Sequence, residues 1–275
     1  MKDKKWLRRT FRALAILYST SLAIHFVSAV TFDTIIDYKS VSFSSTKLSS
    51  QMDGYKIAFI TDTHSITTDE LEKVVFELNK QQLDLLLLGG DYHPKHDGLK
   101  EAMEALSRVV TTDGIYGVEG NHDNYSQLFA VMEQYSIRPL SNSGVRIREH
   151  FYLAGVEDLW NRNADIEKAV AEAQEDDFVI LVSHNPDVTM KQNTKSVDLV
   201  LSGHTHGGQI TVFGIWAPSL MLGKRITGYG QRFMSGWSKS RDDVPVYVSN
   251  GTGKYTDIPR IFARPQVIIF TLQSK

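Results

Sequence analysis

Short apolar runs along the chain alternate with segments in which apolar residues recur at helical spacing. Lys56 to Ile60 and Leu83 to Leu88 are short and mostly apolar, which predicts two buried strands. Between them, Thr67 and Glu70 form a capping-box pattern at the start of a predicted helix. The apolar positions of that helix are Leu71, Val74, Val75 and Leu78. This stretch is therefore predicted to fold as strand, loop, helix and strand.

The same alternation continues to the end of the chain. Val41 and Phe43 alternate with polar residues, which predicts an edge strand within residues 34–49. Further strands are predicted at 115–118, 151–156, 178–182, 197–201, 246–249 and 266–272. Further helices are predicted at 99–110, through Leu128, Val131 and Met132, and at 166–173. Strands that alternate with helices indicate an α/β fold, in which ligands gather beyond the carboxyl ends of the strands.

The longest apolar run extends from Ala13 to Phe32 and is interrupted only by His25 and small hydroxyl residues. Twenty residues of α-helix span about 30 Å, the hydrocarbon thickness of a bilayer. Residues 1–33 are therefore predicted to be a transmembrane anchor or an export signal, followed by one folded domain over residues 34–275. Arg8 and Arg9 resemble a twin-arginine signal, and a cleavage site near Ala29 would remove the segment. The anchored and the cleaved forms both stay open.

Basic residues gather on one side of this apolar run. They are Lys2, Lys4, Lys5, Arg8, Arg9 and Arg12. Because basic flanks stay in the cytoplasm, the folded domain is predicted to lie on the exported side of the cell membrane. Secretion after cleavage and attachment to the cytoplasmic face are the alternatives.

Composition narrows the function classes. The 30 basic and 32 acidic residues give a net charge of −2, which does not favour nucleic-acid binding. The chain has no cysteine, so it forms neither disulfides nor thiolate metal sites. Any metal site must therefore use histidine, aspartate, asparagine and similar ligands.

Candidate site residues follow five of the predicted strands. They are Asp62, His64, Asp91, Asn121, His122, His184, His204 and His206. Five of the nine histidines of the chain belong to this set. Because the carboxyl ends of such strands meet at one edge of a sheet, we expect these side chains to form a common site.

The spacing of these residues resembles the five signature blocks of the calcineurin-like metallophosphoesterase superfamily. In chain order the blocks are Asp62-x-His64, Gly90-Asp91, Gly120-Asn121-His122-Asp123, His184 and Gly203-His204-x-His206. The resemblance implies a four-layer sandwich, in which two mixed β-sheets are flanked by helices, over residues 34–275. It also implies that Asp62, His64 and His206 bind one metal ion, that Asn121, His184 and His204 bind a second, and that Asp91 bridges both.

The residue types suit phosphoester hydrolysis. Two divalent ions about 3.5–4 Å apart neutralise an anionic phosphoester and activate a bridging water. Imidazole, carboxylate and amide ligands without sulfur suit Mn, Fe, Zn or Co and do not select among them. The resemblance implies that His122 is the catalytic residue that protonates the leaving oxygen, a role that an imidazole can fill near neutral pH.

The substrate is open to several interpretations. Gly207, Gly208 and Gln209 resemble a membrane-associated bacterial subgroup, some members of which cleave the pyrophosphate of UDP-diacylglucosamine. A phosphodiester or pyrophosphate substrate is therefore expected, with a lipid-linked form left open. A broad-specificity phosphomonoesterase and a non-catalytic scaffold are the alternatives.

Two further features have open roles. His93 and Asp97 stand where relatives carry an additional carboxylate. Aromatic residues between Ile210 and Phe262 alternate with Lys224, Arg225 and Arg232, which fits either a lipid-binding surface or the packing of a hairpin.

Overall fold

The apolar runs form two six-stranded mixed sheets that pack face to face. A computed structural model describes residues 2–64, 66–92, 98–221, 226–254 and 258–275. In spatial order the first sheet contains β1 (Asp37–Ser45), β12 (Gln266–Ser274), β2 (Lys56–Ile60), β3 (Leu85–Leu88), β4 (Ile115–Gly117) and β5 (Arg138–Pro139). The second contains β10 (Gly236–Lys239), β11 (Pro245–Val248), β9 (Leu199–Ser202), β8 (Phe178–Val182), β7 (Phe151–Gly155) and β6 (Ser143–Arg148).

Helices cover the outer face of each sheet. They are α2 (Thr68–Leu78), α3 (Leu99–Leu106) and α4 (Tyr125–Gln134) on the first sheet, and α5 (Ile166–Ala169) and α6 (Val188–Lys191) on the second. The capping box at the start of α2 is present, since Thr67 accepts from the backbone N–H of Glu70 and Glu70 accepts from that of Thr67. The predicted fold, two mixed sheets flanked by helices, is confirmed.

The central strands β2, β3 and β8 are apolar on both faces because both faces are buried. Ile57 and Phe59 of β2 belong to the core between the two sheets. Ala58 and Ile60 of the same strand pack against the helices. A strand buried on both sides has no polar alternation, which explains the continuous apolar runs of β2, β3 and β8.

Some elements differ from the predicted ones. The helix predicted over residues 99–110 ends at Leu106, and the helix predicted over residues 166–173 is the single turn α5. Three strands were not predicted, namely β5, β6 and β10. These strands lie at or next to sheet edges and are largely exposed or half-buried, so their sequences lack the apolar run on which the prediction depends.

The N-terminal apolar run forms one long helix, α1 (Lys2–Thr31). Within Lys5–Thr31, an 18-residue stretch has a mean hydropathy of 1.7, and the helix is long and apolar enough to cross a membrane. Most of its large apolar side chains are exposed. Directly after it, the Asp33 carboxylate pairs with Lys254 and accepts from the backbone N–H of Arg260. The domain boundary at residue 33 stays a prediction.

Candidate metal centre

Loops at the carboxyl ends of five strands bring the candidate ligands together. Asp62 and His64 follow β2, Asp91 follows β3, Asn121 follows β4, His184 follows β8, and His204 and His206 follow β9. Six of these side chains are buried, whereas Asn121 is half-buried and the neighbouring His122 is exposed. The two sheets therefore contribute to one site at a shared edge of the sandwich.

One group of ligand atoms surrounds a point between Asp62, His64 and His206. The Nε2 atoms of His64 and His206 lie 3.1 Å apart, and His206 Nε2 lies 3.3 Å from Asp62 Oδ1. His64 Nε2 lies 3.9 Å from Asp62 Oδ1. Ligand atoms about 2.0–2.2 Å from a tetrahedral ion lie roughly 3.3–3.6 Å from one another, so this spacing suits one divalent ion.

A second group adjoins the first through Asp91. Oδ2 of Asp91 lies 3.2 Å from His184 Nε2 and 3.5 Å from His64 Nε2. His204 Nδ1 lies 3.2 Å from His184 Nε2. Asp91 is thus the carboxylate between the two groups, which is the position of a bridging ligand.

In each histidine of the second group, one ring nitrogen bonds to a backbone carbonyl. The other ring nitrogen faces the site. Nδ1 of His184 lies 2.8 Å from the carbonyl oxygen of Gly89, and Nε2 of His204 lies 2.7 Å from that of Ile226. A carbonyl only accepts, so those nitrogens carry the protons. When both imidazoles are neutral, their lone pairs are on His184 Nε2 and His204 Nδ1, the two atoms that lie 3.2 Å apart. Metal-binding histidines usually donate their other N–H to a carbonyl or carboxylate in this way.

The amide of Asn121 adds an oxygen to this group. Its Oδ1 is buried and has no hydrogen-bond partner among the residues that the structure describes. A buried amide oxygen without a donor is costly unless another group satisfies it. A metal ion would do so, and the donor set as a whole therefore fits two divalent ions.

Burial and the two aspartates control protonation at the site. Burial lowers the pKa of His64 to about 4 and that of His204 to about 3, so both imidazoles stay neutral at pH 7 and can bind a metal. Burial also lowers the pKa of His184, but the charges of Asp91 and Asp62 outweigh burial and raise it to about 10. The negative charge of these two carboxylates therefore favours binding of a cation next to His184.

Two glycines allow the ligand loops to approach closely. A Cβ atom on Gly120 would lie 2.1 Å from Asp91 Oδ1, and one on Gly203 would lie 2.2 Å from Asp62 Oδ2. Both distances are far below van der Waals contact. Residues with a side chain at these positions would displace the carboxylates.

Asp123 joins two of the loops. Its carboxylate accepts from the backbone N–H groups of Asp91, Tyr92 and Gly120. His122 itself donates its backbone N–H to Asp91 Oδ1 at 2.8 Å, and its ring centroid lies 5.6 Å from that of His64.

Arg260 lies at the site although the sequence motifs did not predict it. Its guanidinium is buried, donates to the carbonyl oxygens of His206 and Ala263, and lies 3.2 Å from His206 Nδ1. Burial lowers its pKa to about 10, so the group stays charged. No motif surrounds Arg260 in the sequence, and only the fold reveals its contact with a candidate ligand.

A cavity of about 680 Å³ opens beside the ligands. Asp91, Asn121 and His122 lie on one side of it. Its other walls are largely apolar and include Trp160, Ile210, Pro218, Ile226 and Ile258. The ring of Trp160 meets that of His204 edge to face at 4.5 Å. His93, Asp97, Lys224 and Arg225 lie outside the described residues.

Similar proteins are found in bacteria and animals. An uncharacterized metallophosphoesterase of Helicobacter pylori is 30% identical over 228 residues, which cover 78% of this chain and 58% of that protein. An uncharacterized metallophosphoesterase of Bacillus subtilis is 26% identical and matches 100% of this chain and 98% of its own. A transmembrane protein with metallophosphoesterase domain from Danio rerio is 27% identical over 94% of this chain and 62% of its own.

The chain thus spans only part of the length of the Helicobacter and Danio relatives. Among solved structures, a dimetal phosphatase from Danio rerio covers 72% of this chain and 88% of its own at 11% identity, with a TM-score of 0.43. The model of the calcineurin-like phosphoesterase family matches residues 55–208, a range that holds every candidate ligand. The chain belongs to the calcineurin-like phosphoesterase family of phosphoester hydrolases.

Proposed function

We propose that this protein hydrolyses phosphoesters with two divalent ions held by the residues of the candidate metal centre. Asp62, His64 and His206 would hold one ion, Asn121, His184 and His204 the other, and Asp91 would bind both. The observation that supports this most is the position of Asp91 Oδ2, 3.5 Å from His64 Nε2 and 3.2 Å from His184 Nε2. Mn, Fe, Zn and Co all suit this donor set.

Divalent ions at this site would neutralise the phosphoester and supply an activated water. The chain itself provides the remaining chemistry. His122 lies at the mouth of the cavity, where its exposed imidazole can deliver a proton to the leaving oxygen. Its backbone N–H donates to Asp91 Oδ1, which links the loop of the proton donor to the shared carboxylate.

The cavity favours a phosphodiester or pyrophosphate over a small phosphomonoester. Its volume of about 680 Å³ is that of a site for a drug-sized ligand. Most of its wall is apolar, which suits a substrate whose phosphorus bears a large organic group. A lipid-linked phosphoester would supply such a group.

A comparison of three substrates in one assay tests this proposal. They are bis(p-nitrophenyl) phosphate, p-nitrophenyl phosphate and UDP-diacylglucosamine. We expect that a chelator abolishes hydrolysis, that Mn²⁺ or Zn²⁺ restores it, and that the diester or the pyrophosphate is cleaved faster than the monoester. Faster cleavage of the monoester would make the protein a phosphomonoesterase, and absence of metal-dependent cleavage would refute the proposal.

We also propose a location for this activity. Helix α1 would anchor the protein in the cell membrane, with the catalytic domain on the exported side. The support is the basic cluster before the apolar run and the acidic residues Asp33 and Asp37 after it.

A further inference from the structure

An exposed apolar hairpin lies beside the cavity. We call the hairpin residues Val212, Phe213, Ile215 and Trp216 the apolar rim. Their exposed fractions are 42%, 45%, 78% and 43%. A group of large apolar side chains on a surface usually marks a binding site for a protein or a membrane.

The apolar rim is part of an ordered turn. Val212 donates its backbone N–H to the carbonyl oxygen of Trp216 at 2.8 Å, and Ile215 donates to that of Val212 at 3.0 Å. Thr211 donates to Ile261 at 3.0 Å, which joins the turn to the rest of the domain. The exposed apolar side chains therefore belong to a turn that is hydrogen-bonded internally and to the rest of the domain.

The apolar rim is continuous with the end of helix α1. The ring of His25 lies 4.7 Å from that of Phe213 and 4.9 Å from that of Phe262. Ser28 Oγ accepts from the backbone N–H of Phe262 at 3.1 Å. His25 Nδ1 lies 2.7 Å from the carbonyl oxygen of Ser21, so one nitrogen of the imidazole that interrupts the apolar run is hydrogen-bonded within the helix.

These contacts set the depth of the rim in a membrane. The apolar run from Ala13 to Phe32 matches the hydrocarbon thickness of about 30 Å. His25 precedes Phe32 by seven residues, or about 10 Å along the helix axis. Since Phe213 packs against His25, it lies at the level of the hydrocarbon whenever α1 spans the bilayer. We propose that the apolar rim inserts into the same membrane that α1 crosses.

Charged groups lie where such a membrane would end. The guanidinium of Arg264 lies 5.3 Å from the ring centroid of Phe32, and Lys254 pairs with Asp33. Basic side chains are common at the boundary of the hydrocarbon layer, where the charged end reaches water. Along the axis of α1, the apolar side chains of the helix and the rim are thus followed by charged groups. A lipid bilayer has the same order, with hydrocarbon followed by a polar boundary.

Membrane insertion of the rim determines how substrate arrives, and this step rests on the proposed function. Ile210 lines the cavity and directly precedes the hairpin, so the mouth of the cavity lies next to the rim. A phosphoester anchored in the bilayer could then enter the cavity from the membrane surface. The substrate class is an amphipathic phosphoester whose apolar part stays among the lipids.

Labelling of single cysteines measures the depth directly, because the chain has no cysteine of its own. Ile215→Cys and Val110→Cys replace residues that are 78% and 71% exposed. Val110 lies between α3 and β4, before the amino end of β4, whereas the metal centre lies beyond the carboxyl end of that strand. Val110 is therefore the matched control. Each full-length variant carries a nitroxide and is placed, one chain per disc, in nanodiscs of phosphatidylethanolamine and phosphatidylglycerol.

Oxygen concentrates in the hydrocarbon layer, whereas a water-soluble nickel chelate stays outside it. We therefore expect oxygen to relax the nitroxide at position 215 more than the chelate does. At position 110 we expect the chelate to be the more effective of the two. Equal aqueous exposure of both labels would overturn the proposal. Shielding of the label at 215 from both reagents would also overturn it, because a protein contact and not lipid would then cover the rim.

Activity provides a second readout. Ile215→Asp is expected to slow cleavage of a diacylglycerol p-nitrophenyl phosphate in the nanodisc by at least about tenfold, because a carboxylate in the bilayer is costly. Val110→Asp should have no such effect, and both variants should cleave bis(p-nitrophenyl) phosphate at the rate of the unmodified protein. Equal rates of the two variants on the lipid would refute delivery from the membrane. Failure of the unmodified protein on both substrates would refute the phosphodiesterase activity within the proposed function, while the nitroxide depths still test the rim.

Discussion

At the scale of single residues, the site combines unusual backbone conformation with close packing. Five candidate ligands have a positive φ, namely Asp62 (53°), His64 (33°), Asp91 (57°), His204 (72°) and His206 (53°). Each such residue costs about 1–3 kcal/mol and persists only where the surroundings hold it. The Asp62 carboxylate supplies part of that restraint by accepting from the backbone N–H of His204. Five of the seven candidate ligands therefore lie in strained backbone, where the loops must converge.

Gly203→Ala is expected to disturb this convergence. The new Cβ would lie 2.2 Å from Asp62 Oδ2 and 2.3 Å from Thr61 Oγ1, so the loop or the aspartate must move. We expect a loss of about 1–3 kcal/mol in the free energy of unfolding, together with lower metal content. Urea unfolding and metal analysis measure the two effects.

Gly228→Ala is the control, since among the described residues its Cβ would meet only Asp187 Oδ2, at an ordinary 3.5 Å. If Gly203→Ala were as stable and as rich in metal as Gly228→Ala, the proposed close packing around Asp62 would be wrong.

His122→Ala is expected to keep both metal ions and to lose about 10²–10⁴-fold in rate, the usual contribution of a general acid. The reason is that the His122 side chain lies at the cavity mouth, outside the two ligand groups. Steady-state kinetics with an alkyl diester, whose leaving group needs a proton, measures the loss. An unchanged rate on that substrate, with metal content intact, would contradict the role of His122.

At the scale of elements, the apolar runs of the sequence predicted the strands that are buried in the sandwich. Strands β2, β3, β8 and β9 were predicted because each is buried on both faces. The position of β12, between β1 and β2 and antiparallel to β2, could not be predicted, because it joins distant parts of the chain. The candidate ligands were predicted from motif spacing, whereas Arg260 reaches His206 only through this long-range arrangement.

Phe270→Ala tests the role of β12 as a central strand. Phe270 is fully buried between the sheets, and its ring lies 5.2 Å from that of Tyr247 on the second sheet. We expect a loss of about 3–5 kcal/mol in the free energy of unfolding. Phe76→Ala, at a position that is 64% exposed, should change it by less than about 0.5 kcal/mol. Similar urea midpoints for the two variants would show that β12 does not contribute to the core.

At the scale of the whole molecule, the sandwich places its metal centre and the end of α1 at the same edge. Asp33 connects the two, since it follows α1 and contacts Lys254 and Arg260, and Arg260 contacts His206. The sequence predicted an apolar helix and a metal site separately. Their proximity follows from the fold and is the basis for relating the proposed membrane position to the proposed substrate.

Topology is tested by protease added to intact cells or protoplasts. We expect the catalytic domain to be digested, because moving each basic residue of the N-terminus through the bilayer would cost about 2.5–3.5 kcal/mol. A substrate such as UDP-diacylglucosamine is made from a nucleotide and would instead favour the cytoplasmic face. Digestion only after lysis would contradict the exported location and support that alternative.

The number of metal ions per chain tests the central claim most directly. Elemental analysis of the full-length protein, purified with Mn²⁺ and Zn²⁺ supplied, should give two divalent ions per chain. Asp91→Ala should fall below one, because Asp91 lies between the two ligand groups. At most one ion per chain in the unmodified protein, or two ions in Asp91→Ala, would contradict a dinuclear centre that Asp91 bridges.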